Sequence, residues 1–125
     1  MTNATKNSLN WFEIPATDLD RAARFYEQTL GLKLKREDFG PDKIAVFPAA
    51  GGGVAGSLVA GPNRRPSAEG SLIFLGAPDV AAALARATSA GGKSVSGIVD
   101  IGEMGSFAIV LDTEGNRVGL HQEKH

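Results

Sequence analysis

Between Trp11 and Ala16 the side chains alternate, with Phe12, Ile14 and Ala16 on one side and Trp11 and Glu13 on the other, the period of a strand buried on one face. After Pro15, which cannot donate to a ladder, the period lengthens. Leu19, Ala22, Ala23, Tyr26 and Leu30 return at helical spacing behind Asp18, a residue suited to capping, and Gly31 marks the stop. Alternation resumes over 32–37, gives way to a turn over 38–42, and returns as strands at 43–47 and 54–60. The plan is then repeated: Asp18 and Asp79, Leu19 and Val80, Ala22 and Ala83, Ala23 and Leu84, and Gly31 and Gly92 are each 61 positions apart. Residues 71–75 open the second copy as a strand, Pro78 and Asp79 start its helix, and Gly91 with Gly92 ends it. Strands at 93–99, 106–111 and 117–122 follow, the last two joined by a turn at Glu114, Gly115 and Asn116. The pattern predicts an α+β fold of two tandem βαβββ modules, 9–60 and 71–122, joined by an exposed linker at 61–70. The modules are expected to form a curved mixed sheet with a concave cleft, within one domain spanning 1–125.

Composition narrows the function classes. A formal charge of −1 with both signs spread along the chain leaves no footprint for nucleic acid or an anionic membrane. The absence of cysteine removes disulfides, thiolate metal sites and cysteine nucleophiles together. No apolar run resembles a signal peptide or a membrane span, so a cytoplasmic location is expected, and the sequon at Asn3, Ala4 and Thr5 then carries no meaning.

Parity assigns the faces. If Phe12, Ile14, Ile73, Leu75, Val118 and Leu120 face the helices, then Trp11, Glu13, Leu72, Phe74, Arg117, Gly119 and His121 face the cleft. Apolar walls with a few polar groups are the usual lining of a small-molecule pocket, which makes the cleft the expected site.

The doubled plan, Phe25-Tyr26 with Leu30-Gly31 at the end of the first helix, and Asp112-Thr113-Glu114-Gly115-Asn116 before the last strand resemble the vicinal oxygen chelate superfamily. That superfamily includes glyoxalase I, extradiol dioxygenases and the bleomycin and fosfomycin resistance proteins. The resemblance runs from Leu9 to Gln122, and Trp11-Phe12-Glu13-Ile14-Pro15 with Asn116-Arg117-Val118-Gly119-Leu120 look most like its glyoxalase-like branch. It implies a homodimer, whose cleft is completed either within one chain or across the two-fold axis.

Enzymes of the superfamily hold a divalent metal with His and Glu ligands, one each from the first and last strand of a module. Aligned on the capping aspartates, the two His positions fall here at Trp11 and Leu72; aligned on the turn before the last strand, the Glu positions fall at Gly119 and, in the first copy, Gly56. None of these side chains ligates a metal, so neither a divalent ion nor another cofactor is expected at the usual site. Nearby, Glu13 suits a general base and His121 acid or base work, while Arg117 suits clamping a carboxylate or phosphate; Trp11, Leu72 and Phe74 read as pocket walls. The competing assignments are a carboxylate bound to backbone or arginine, a histidine frayed at the chain end, and a solvated arginine.

Other motifs explain themselves locally. Gly51, Gly53 and Gly56 fit Gly-x-Gly-x-x-Gly but precede a short apolar run rather than a helix. Asp112, Glu114 and Asn116 alternate like a calcium loop without its later bidentate Glu, and a hairpin turn accounts for them. Arg64 and Arg65 read as a solvated basic pair. Two functions follow: a metal-free protein, in the manner of the bleomycin resistance proteins, that binds a small molecule in an aromatic-lined cleft; or a lyase or isomerase acting on a small oxygenated substrate through Glu13, helped by His121. The empty ligand positions favour the first.

Overall fold

A computed structural model describes residues 7–124, so the sequon at Asn3 lies outside the described residues. The first module comprises β1 (Trp11–Pro15), α1 (Leu19–Leu30), β2 (Lys35–Phe39), β3 (Asp42–Val46) and β4 (Ala55–Ala60). The second comprises β5 (Phe74–Gly76), α2 (Val80–Ser89), β6 (Lys93–Asp100), a 3-10 turn at Gly102–Met104, β7 (Ser106–Leu111) and β8 (Arg117–Gln122). Each module carries its own four-stranded mixed sheet, ordered β1-β4-β3-β2 and β5-β8-β7-β6, in which only the first pair is parallel. The fold is α+β, and the ladders are confined to each module.

The two helices begin alike. Asp18 Oδ1 accepts from the Arg21 amide and Asp79 Oδ1 from the Ala82 amide, both at 3.0 Å, so the repeated aspartates are N-caps as their spacing predicts. Ala22, Ala23, Phe25 and Tyr26 of α1 and Val80, Ala83 and Ala87 of α2 are buried, and the helices pack on each other, with Arg86 Nε donating to the Thr29 carbonyl at 3.1 Å. One core results, shared by Ile14, Leu58 and Phe47 from the first module and Leu75, Val110, Val118 and Leu120 from the second. Tyr26 meets Phe25 and Phe47 edge-on at ring separations of 4.9 and 5.5 Å, favoured geometry for aromatic rings.

Two strands differ from the sequence-based expectation. Over 32–34 the chain is tied to the helix it has just left: the Leu34 amide donates to Glu27 Oε2 at 2.9 Å and its side chain is buried, so the ladder starts only at Lys35. It then runs through Phe39, paired with Asp42, which narrows the expected five-residue turn to Gly40 and Pro41. β5 is likewise displaced, from 71–75 to Phe74–Gly76; Leu72 and Ile73 precede the ladder, although the Gly119 amide still bonds the Ile73 carbonyl at 2.8 Å.

Candidate functional site

Burial follows the alternation of β1, β5 and β8. Ile14, Leu75, Val118 and Leu120 are buried toward the helices, whereas Trp11, Glu13, Phe74 and Arg117 are exposed on the outer faces. Strand register shows how the last strands compare. Glu13 pairs with Ser57 and Phe74 with Gly119, and Glu13 and Phe74 are themselves 61 positions apart, so the first-module counterpart of Gly119 is Ser57. Gly56 lies on the helix side, where a Cβ would run into the Phe12 ring. The alignment with Gly56 is thus one residue out of register.

The four positions at which the resemblance implies metal ligands carry Trp11, Leu72, Ser57 and Gly119. An indole, an alkyl group, a hydroxyl and a hydrogen do not make a donor set for a divalent ion. The backbone reinforces this. The Phe74 ring lies against Gly119, filling the space into which a carboxylate at 119 would rise. Among the described residues, no three His, Cys, Asp or Glu side chains converge as ligands.

The candidate residues fall into separate environments. Glu13 Oε1 accepts from Arg64 Nη1 at 2.7 Å, and Arg64 Nη2 reaches Asp42 Oδ2 at 3.1 Å, so this arginine bridges β1 and β3 across the outer face of the first sheet. On the same face Val59 and Ser57 are buried, and Ser57 Oγ has no hydrogen-bond partner. The opposed carboxylates stabilise the Arg64 cation and raise its pKa further. Arg64, read as half of a solvated pair, is an ion-paired residue; its partners lie 51 and 22 positions away, beyond the reach of a local motif.

On the second sheet Phe74 meets Phe107 edge-on at 5.6 Å, and His121 Nε2 lies 2.6 Å from the Met104 carbonyl oxygen. A carbonyl only accepts, so Nε2 carries the proton of that bond. Leu72 and Phe74 line an apolar cavity of about 540 Å³ with Leu30, Phe47, Val54 and Ile73, where the end of α1 and the 48–54 connection approach β5. Glu13 and Arg117 line a different cavity, of about 290 Å³, at the seam between the modules. The largest concavity, about 920 Å³, opens on the helix side between α1 and the β2–β3 hairpin; its charges answer one another, as in the 2.6 Å contact of Arg36 with Asp20, and it touches none of the candidate residues.

The turn read as a hairpin does join β7 to β8, and among the described residues it is dense in side-chain hydrogen bonds. Glu114, whose side chain is inaccessible, accepts from the amides of Thr17 and Asp18, both at 2.9 Å, and from Arg21 Nε at 2.7 Å. Although burial opposes its charge, bonds from Arg21, Asp18, Thr113 and Thr17 lower its pKa to about 2. Buried Asp112 accepts from Tyr26 OH at 2.6 Å and from the amides of Glu114 and Asn116. Burial, then the Asp112 carboxylate, push the Tyr26 phenol well above its ordinary value. Asn116 donates to the Pro15 carbonyl at 2.7 Å and accepts from the Ser67 amide at 3.0 Å. The turn therefore locks the second module to β1, α1 and the linker. Sequence reasoning saw its shape but not its partners, which lie 86 to 101 positions away for Tyr26, Arg21, Asp18, Thr17 and Pro15.

Comparison with known proteins agrees with this architecture. A model of the Glyoxalase/Bleomycin resistance protein/Dioxygenase superfamily matches residues 8–120. A glyoxylase-like domain-containing protein of Didymella fabae is 31% identical over 112 residues, which make up 86% of this chain and 88% of that protein. Among solved structures, TnmS3, an antibiotic binding protein from Streptomyces sp. CB03234, is 26% identical with a TM-score of 0.71, covering 98% of this chain and 100% of that one. A glyoxalase I mutant from Zea mays is 20% identical with a TM-score of 0.66; the match covers 90% of this chain but only 44% of the maize protein.

Proposed function

The chain belongs to the glyoxalase/bleomycin resistance protein/dioxygenase superfamily, and from that premise we propose that it binds an apolar small molecule without a metal or other cofactor. The observation that carries this reading is the Phe74 ring seated on Gly119: an aromatic wall occupies the space where a ligating carboxylate would stand. The ligand lies against Leu72 and Phe74 in the cavity of about 540 Å³, a volume suited to a drug-sized molecule. Trp11 and His121 do not line this cavity; Phe12 and Phe47 add its further aromatic surface. The likeness to TnmS3 supports binding rather than turnover, since that relative is described as an antibiotic binding protein. In this reading the protein acts in the cytoplasm as a homodimer, which would cover the apolar side chains of Val95, Ile98, Ile101 and Met104, all exposed in the single chain.

The alternative, an enzyme with Glu13 as general base, is opposed by the Arg64 contact, which engages that carboxylate. Titration with Nile red, a neutral apolar fluorophore, distinguishes the two. Saturable binding is expected that survives chelation and weakens roughly tenfold in Phe74→Ala, in line with the burial of one aromatic side chain. Binding abolished by chelation, or unaffected in both Leu72→Ala and Phe74→Ala, would overturn the proposal.

A further inference from the structure

The linker carries two adjacent arginines with opposite fates. Arg64 is engaged by Glu13 and Asp42, and three residues on, the Ser67 amide is bonded to Asn116 Oδ1. The chain is thus pinned on both sides of Arg65, which lines the seam cavity of about 290 Å³ together with Arg117 at the start of β8. Neither the Arg65 nor the Arg117 guanidinium has a hydrogen bond or an ion pair among the described residues. Ser67 and Ser71 line the same cavity and can turn hydroxyl donors into it. Glu13 is its one carboxylate, and Arg64 already holds that group.

Two unpartnered guanidiniums lining one small concavity are forked donors without an acceptor, and a guest with negative oxygens can accept from both. We propose that this seam is a binding site for a small oxyanion, a carboxylate or phosphate group carried by a compact molecule, held by Arg65 and Arg117 and supported by Ser67 and Ser71. The two arginines come from the linker and from the second module, and the cavity floor includes Ile14 and Pro15 of the first, so the site exists only where the modules meet. It adjoins the apolar cavity at Phe74, Ile73 lining both, but takes a ligand of different chemistry and stands or falls independently of the one proposed there.

The test is a titration of isotopically labelled full-length protein with inorganic phosphate and, separately, with succinate, followed by amide chemical shifts at constant ionic strength. Saturable shifts confined to 65–71 and 116–118 are expected from at least one of the two anions, and which one binds identifies the phosphate or the carboxylate as the recognised group. Arg65→Gln and Arg117→Gln should each weaken that binding roughly tenfold, as loss of one charge-assisted contact would, whereas Arg24→Gln on the exposed face of α1 should leave it unchanged. Both arginines are exposed, so neither substitution threatens the fold. Absence of saturation with both anions, or equal weakening by Arg24→Gln, would overturn the proposal. Loss of Nile red binding in Phe74→Ala with the anion shifts intact separates the two sites.

Discussion

The two modules share a frame and differ in almost everything placed on it. Both helices start at an aspartate cap, and in both modules a phenylalanine lies over a glycine on the neighbouring strand. The phase, however, is shifted by one residue. Phe12 covers Gly56 on the helix side and joins the core next to Phe47, whereas Phe74 covers Gly119 on the outer face beside Phe107. A one-residue shift in a strand exchanges inside for outside. The first outer face carries the Arg64 bridge together with buried Val59 and Ser57, and the second keeps an aromatic surface. The connections differ as sharply: Gly51 and Gly53 stand 61 positions before Asp112 and Glu114, so bare glycine in the first copy corresponds to the bonded turn of the second. Repetition constrains the backbone plan, and side-chain chemistry is free to diverge upon it.

Removing the lock from the second turn should have the largest effect. Asp112→Ala deletes the acceptor of Tyr26 OH and of two backbone amides in a buried site, and a loss of about 3 kcal/mol or more is expected in urea unfolding, given the strength of bonds to a charged group. Glu114→Gln follows, with a distinctive pH dependence. The folded pKa of about 2 lies below the ordinary carboxylate value of 4.5, so the carboxylate stabilises the fold above pH 4.5 and loses that contribution as pH falls toward 2. A shift of that size corresponds to about 3 kcal/mol at neutral pH. The variant should therefore be less stable than the parent at pH 7 and converge with it near pH 2; a constant gap across the range would show that the charge is not what matters. The smallest effect is the most pointed comparison. Gly56→Ala should cost about 1–3 kcal/mol, because Phe12 is confined between sheet and core, while Gly119→Ala should cost less than about 1 kcal/mol, because half-exposed Phe74 can swing into solvent. Equal losses would mean that the two rings are equally confined.

What was legible in the sequence was periodic. The caps at Asp18 and Asp79, the helical stripes behind them and the parity of β1, β5 and β8 follow from local backbone physics. Strand ends were less so, because Leu34 is drawn toward Glu27 by a bond that crosses the helix terminus. The roles of Arg64, Glu114 and Asp112 were not legible, since each is defined by tertiary partners and no local spacing encodes a contact across dozens of residues. A turn dense in Asp, Glu and Asn directly before a strand with buried Val118 and Leu120 was the available hint, as polar groups drawn close to a core are costly unless bonded.

The bonds to Glu114 also bear on the order in which the protein is made. Synthesis proceeds from the amino terminus, so α1 emerges with the amides of Thr17 and Asp18 and the hydroxyl of Tyr26 still lacking the acceptors they have in the finished fold. Those acceptors arrive only with residues 112 and 114, after α2 and every strand from β1 to β7 has been made, so the turn that follows β7 completes the start of α1.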